Sequence, residues 1–131
     1  MKFSIIIPVA PSRNAEVLNC LKHVDYPKEN FEVIVEEGLN PSNNREEAIK
    51  KSKFNTLIFL DDDAYIEKDF LNTIKDFFTI YPEVDIVGGV QLTPRDDNTF
   101  AKISGIALGS FFGAYKMSNR YHPTKVSLDA T

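Results

Sequence analysis

Three consecutive carboxylates, Asp61-Asp62-Asp63, directly follow the apolar run Thr56 to Leu60. A buried strand that ends in such a cluster concentrates negative charge at the rim of a sheet, which is unfavourable unless a cation or hydrogen-bond donors compensate it. In extended backbone Asp61 and Asp63 point to the same side and Asp62 to the other, so the first and third can act together. A hard divalent ion, Mg²⁺ or Mn²⁺, is the natural partner, held by one or two carboxylates and completed by phosphates and water. An arbitrary acidic triplet is more often a solvated loop that caps the next helix. The place of this one, after an all-apolar strand, favours a site.

Other strand ends carry polar groups as well. Phe31 to Glu36 reads as a strand that runs into Glu36-Glu37-Gly38, where a carboxylate can accept hydrogen bonds from a nucleobase or ribose and the glycine permits a tight turn. Lys2 to Val9 reads as a strand followed by Ala10-Pro11-Ser12, so that Pro8, Val9 and Ala10 form one wall of the same cleft. Arg45, in the first turn of a helix, is placed to reach this rim, with a surface pair to a neighbouring glutamate as the competing expectation. Cys20 sits among Val17, Leu18 and Leu21 and reads as a packed helix face in a reducing compartment. His23 reads as a surface residue, and His122, in Arg120-Tyr121-His122-Pro123, lacks a partner carboxylate.

The elements that must position these groups alternate. Strands at Lys2–Val9, Phe31–Glu36, Thr56–Leu60 and Asp85–Leu92 are mostly short continuous apolar runs, the pattern of strands buried on both faces of a parallel sheet. Between them, Val17, Leu18, Leu21 and Val24 share one helical face that ends at Tyr26-Pro27. Ser42-Asn43-Asn44 can cap a second helix, and Phe70, Leu71, Ile74, Phe77 and Phe78 mark a third before Pro82. The order β-α-β-α-β-α-β predicts the α/β class, an open, mostly parallel sheet with helices on both faces. Ligands of such sheets bind at the carboxyl ends of the strands.

The whole chain fits one such domain. It has 131 residues, 43% of them hydrophobic and 26% charged, so collagen-like and disordered classes are excluded. The net charge of −4 disfavours nucleic acid as a partner. Residues 1–97 carry eleven basic and eighteen acidic side chains, and residues 98–131 carry four and one, so the last third is basic and aromatic-rich. The apolar stretch Ile103 to Tyr115 has thirteen residues, too few for a membrane helix, which needs about 20. That predicts no transmembrane segment and a cytoplasmic location, with room for peripheral contact at the inner face of a membrane. Gly105, Gly109 and Gly113 in this stretch read as a loop-rich or weakly helical segment.

Four segments in order resemble the donor-binding part of family 2 glycosyltransferases with the GT-A fold: Ser4-Ile5-Ile6-Ile7-Pro8, Val33-Ile34-Val35-Glu36-Glu37-Gly38, Asn43-Asn44-Arg45-Glu46-Glu47-Ala48-Ile49, and Leu57-Ile58-Phe59-Leu60-Asp61-Asp62-Asp63. The resemblance continues through Phe70-Leu71 and Val87-Gly88-Gly89. It implies a donor core over residues 1–97 and the start of an acceptor-side region over 98–131, within the same domain. It implies nucleotide contacts from Pro8, Val9, Ala10, Glu36, Arg45, Asp61 and Asp62. Asp63 and Asp61 match the D-x-D motif and would carry Mg²⁺ or Mn²⁺ to the diphosphate of a nucleoside-diphosphate sugar. A cation there stabilises the leaving diphosphate as a Lewis acid. The sugar would pass with inversion to the hydroxyl of a glycan, lipid or protein acceptor.

The chain departs from the family pattern at Val9-Ala10-Pro11, where a polar or aromatic triplet is usual, and at Glu36-Glu37-Gly38-Leu39, where shorter carboxylates and a serine are usual. No residue after Gly89 matches the catalytic base. Asp96-Asp97 and Asp129 read as solvated loop residues, so the base is expected beyond Thr131 and the fold is expected to be truncated. Three other classes compete. A sugar nucleotidyltransferase needs a glycine-rich loop after the first strand, and residues 8–16 contain no glycine. Phosphoaspartate chemistry wants aspartates after that strand, where none stands. A non-catalytic nucleotide-binding or assembly module, compatible with an oligomer, fits the altered loops but not the intact Asp61-x-Asp63.

Overall fold

Of the three described strands, the central one is the most completely buried. The computed structural model describes residues 1–89. Its elements are β1 (Phe3–Val9), α1 (Val17–Leu21), a 3-10 turn (Lys28–Asn30), β2 (Phe31–Glu37), α2 (Pro41–Lys51), β3 (Thr56–Phe59) and α3 (Phe70–Ile80). The chain divides into two units, Met1–Glu83 and Val84–Thr131, and all these elements belong to the first. Strand order is β2-β1-β3, with both neighbours parallel to β1. Register pairs Ile5 with Val33 and Ile58, and Pro8 with Glu36.

Period-two alternation assigns the two faces of β1. Phe3, Ile5, Ile7 and Val9 join Val17 and Leu21 of α1, Ile58 of β3, Leu71 of α3 and Ile66 from the loop before α3 in one core cluster. Ser4, Ile6 and Pro8 occupy the opposite face. There α2 lies against β1 and β2, with Ile6 and Ala48 both fully buried. Helices therefore cover both faces of the parallel sheet, as the apolar runs predict. Each fully buried isoleucine of β1 contributes about 2 to 3 kcal/mol of apolar transfer free energy, an upper figure because the unfolded chain already hides part of that surface.

Some boundaries differ from the expectation. The helix predicted to continue to Tyr26-Pro27 ends at Leu21, yet Val24 and Tyr26 stay buried in the turns that follow. Tyr26 lies 5.5 Å from the Phe3 ring, centroid to centroid, and its hydroxyl donates to the Met1 carbonyl at 2.8 Å. Tertiary burial, not helical periodicity, thus places those two side chains. The second helix begins earlier than Ser42, at Pro41. Asn40 is its cap and accepts from the amides of Ser42 (3.0 Å) and Asn43 (3.3 Å). Of the expected fourth strand, residues 85–89 are not in a strand, and 90–92 lie outside the described residues. So do the basic segment 98–131, Asp96-Asp97, Asp129, His122 and the stretch Ile103 to Tyr115. Among the described residues no helix is long and apolar enough to cross a membrane.

At the amino ends of the strands a polar knot fixes the sheet. The fully buried Ser4 donates from Oγ to Glu32 Oε1 at 2.6 Å and accepts from the Phe54 amide at 3.1 Å. Glu32 Oε1 also accepts from the Lys53 amide at 2.6 Å, and Oε2 lies 3.4 Å from Lys53 Nζ. The Ser4 hydroxyl, with Lys53 assisting, holds the Glu32 carboxyl below its ordinary pKa although partial burial works against it. The α2–β3 connection is thereby tied to β1 and β2, which leaves the opposite rim to carry the site.

Candidate functional site

The carboxyl ends of β1 and β3 bring the acidic triplet to the loop after β1. Leu60 extends the β1–β3 ladder by one bond, its amide donating to the Ile6 carbonyl at 3.0 Å. The chain then turns, with the Ala64 amide bonded to the Asp61 carbonyl at 3.1 Å. The turn changes the expected pairing of Asp61 with Asp63. Asp61 Oδ1 lies 3.7 Å from Nη2 of Arg45 on α2, whereas Asp62 and Asp63 both meet Arg13, from Nε to Asp62 Oδ2 at 3.0 Å and from Nη2 to Asp63 Oδ2 at 3.5 Å. Asp62 does face away from Asp61, as alternation predicts, but Asp63 joins it because the backbone no longer extends.

Arg13 lies outside the motifs that the sequence pattern marks. Its signal lay in its position, a cation in the loop after the first strand of a parallel sheet, where loops converge on the rim. The delivery is local. The Arg13 amide bonds to the Ala10 carbonyl at 3.1 Å, closing a turn whose third residue, Ser12, has φ 69°. Pro11 before it pre-sets the turn, and a positive φ at the third position is the type II pattern, which usually takes glycine. The Val17 amide then donates to the Asp62 carbonyl at 3.1 Å, so backbone and side chain both fasten this loop to the acidic turn.

On the other side, Gly38 and Asn44 join β1, β2 and α2. The Gly38 amide donates to the Val9 carbonyl at 3.0 Å. Buried Asn44 donates from Nδ2 to the carbonyls of Gly38 (3.1 Å) and Val9 (3.4 Å). A Cβ on Gly38 would overlap Asn44 Oδ1. The glycine is there for this close approach and not for a positive φ, which it does not have. Asn44, expected only as a cap residue, thus pins the first turn of α2 at the rim and leaves the adjacent Arg45 facing Asp61.

Glu36 is not brought to this group. It pairs at 2.6 Å with Lys51 in the last turn of α2, while the next residue, Glu37, is exposed on the alternate face. Pro8 and Val9 end β1 beside β2, and Ala10 is exposed at the start of the turn that carries Arg13. Cys20 is partly buried against the core, and His23 is exposed.

The charges divide by burial. Asp62 is 7% exposed and held by a short bond, whereas the side chains of Asp61 and Asp63 are 69% and 67% exposed with cations only at 3.5 to 3.7 Å. The two exposed carboxylates are therefore free to exchange partners. Among the described residues no group of three or more His, Cys, Asp or Glu side chains forms a metal site.

An open parallel α/β sheet with a charged, exposed rim at its carboxyl ends is the architecture on which nucleotide sites are built. The family model described as "Glycosyl transferase family 2" matches residues 11–129, and the chain belongs to that family. Among solved structures it resembles the crystal structure of S. aureus TarS 1-349 in complex with UDP-GlcNAc, with a TM-score of 0.59 and 22% identity, covering 75% of this chain and 37% of that chain. The likeness bears out the expected GT-A-type fold, and this chain spans little more than a third of the length of the chain it matches. No curated protein matches the chain.

Proposed function

We propose that the rim formed by β1, β3 and α2 is the donor site of a glycosyltransferase that binds a nucleoside-diphosphate sugar through a divalent cation. The observation that carries the reading is the acidic turn at the end of β3. It presents two exposed, loosely paired carboxylates between two arginines, in a chain of glycosyl transferase family 2. Asp63 and Asp61 would hold Mg²⁺ or Mn²⁺, and Asp62 and Arg45 would belong to the surrounding nucleotide site. When bound, the cation stabilises the charge that grows on the leaving diphosphate. Pro8, Val9 and Ala10 border the nucleoside. Glu36 serves it after a base or ribose hydroxyl takes the place of Lys51. In this reading the sugar passes to an acceptor hydroxyl with inversion, and residues 98–131 begin the acceptor side of the domain. The complex of TarS with UDP-GlcNAc supports a uridine donor.

Titration calorimetry of the 131-residue chain with UDP and GDP, with and without Mn²⁺ or Mg²⁺, tests the site. UDP is expected to bind only with metal, and Asp63→Ala to weaken that binding at least tenfold, which corresponds to about 1.4 kcal/mol. Affinity that needs no metal and survives Asp63→Ala overturns the proposal.

A further inference from the structure

We propose that Arg13 is a donor-binding residue. Anchored through Nε on buried Asp62, it passes its Nη2 contact from Asp63 to the diphosphate when a divalent cation takes Asp63. The proposal rests on the donor-site reading above and adds to it a residue and an exchange of partners.

Three observations carry it. First, the two contacts of Arg13 are unequal: the Nε bond is 3.0 Å to a carboxylate whose side chain is 10% exposed, and the Nη2 contact is 3.5 Å to one that is 67% exposed. The first is a charge-assisted bond sheltered from water. The second is long and solvated, so it is readily surrendered. Second, the loop is held in a conformation that only surrounding structure maintains. Ser12 sits at φ 69°, a region costly for a residue with a Cβ, and the Val17–Asp62 backbone bond closes the far end of the loop. Strain retained against such a cost is characteristic of ligand-positioning segments. Third, Arg13 is 55% exposed, with guanidinium donors beyond the two engaged by Asp62 and Asp63. A planar guanidinium anchored at one nitrogen presents the others in a fixed fork that matches phosphate oxygens.

Electrostatics gives the exchange its direction. Three carboxylates against two guanidiniums leave this rim with a net negative charge, which repels a diphosphate. A divalent cation on Asp63 reverses that balance and at the same time displaces the Nη2 contact by occupying its acceptor. The released donors then face the diphosphate that the cation attracts, while Nε stays on Asp62.

The test compares UDP with uridine on the 131-residue chain at saturating Mn²⁺, using wild type, Arg13→Gln and Arg13→Lys, with thermal unfolding to confirm that the variants fold. Arg13→Gln is expected to weaken UDP roughly tenfold or more, the value of a charge-assisted phosphate contact, and to change uridine affinity by less than about twofold. Arg13→Lys is expected not to restore UDP affinity, because an ammonium cannot hold Asp62 and phosphate together. Unchanged UDP affinity in Arg13→Gln overturns the proposal. An equal loss for UDP and uridine also overturns it, since Arg13 then acts only through the shape of the loop. A wild-type chain that fails to bind UDP with Mn²⁺ overturns the donor-site reading as well. A second measurement needs no variant: with UDP and diamagnetic Mg²⁺, the Arg13 Nη resonances should shift while Nε holds its position, and unmoved Nη resonances refute the exchange.

Discussion

A single oxygen atom explains why residue 38 is glycine. Asn44 Oδ1 occupies the space of a Cβ there, and the same side chain donates to the carbonyls of Gly38 and Val9. Gly38→Ala is therefore expected to destabilise the protein by about 1 to 3 kcal/mol, the usual range for forced overpacking. Asn44→Ala is expected to cost about 1 to 3 kcal/mol through buried carbonyls left short of donors. The two should be strongly non-additive, because Asn44→Ala removes the atom that Gly38→Ala strikes. Urea unfolding of both single variants and the double variant measures this, and additive losses would show that the close approach is unimportant. The sequence marked Gly38 as special but suggested the wrong reason, a turn. Close approach depends on a side chain six residues away, which no local pattern specifies. Asp61-Asp62-Asp63 was legible as an acidic strand end, yet the inequality of the three carboxylates was not. Burial of Asp62 and its bond to Arg13 require the loop after β1 to fold over the loop after β3, a contact across 49 positions of sequence.

Two elements depend on polar groups at their ends. Asn40 caps α2 through two amide bonds, so Asn40→Ala should cost about 1 kcal/mol in thermal or urea unfolding. At the opposite end of the sheet, Glu32 links Ser4 to Lys53, and its pKa is lowered in the folded state. A depressed folded pKa means that the unfolded chain binds the proton more readily. The stabilisation is thus fully present above the unfolded value, about 4.3, and is lost as pH falls through the lower folded value. Glu32→Gln is expected to be less stable than wild type at pH 7, with the difference narrowing below about pH 4.3. Urea midpoints across that range decide, and a gap that does not change with pH would show that the charge of Glu32 is irrelevant. Element type was readable from apolar runs and helical spacing, because burial imposes those periods directly. Helix length was less so: Val24 and Tyr26 continue the apolar spacing of α1 yet are buried from turns, where contacts with the rest of the chain hold them.

The organisation of the described core predicts a gradient of stability. β1 is hydrogen-bonded on both sides and covered on both faces, whereas β2 and β3 each border it on one side. Amides of Ile5, Ile6 and Ile7 are expected to exchange with solvent most slowly, at rates set by global unfolding, and those of α1 orders of magnitude faster. Hydrogen exchange followed by NMR checks this; comparable protection in α1 and β1 would contradict a core organised around the central strand. At this scale the α/β class, the parallel sheet and the acidic rim are legible in the order of residues, because apolar runs longer than a turn and charges at their ends have few satisfactory places in a folded chain. How the charged residues divide is set by the packed fold. It paired Arg13 with Asp62 and Asp63, set Arg45 facing Asp61, and drew Glu36 to Lys51. Those outcomes follow from where separate loops and helix ends meet, and both electrostatic energy and desolvation depend on distances and burial that arise only when the strands lie side by side.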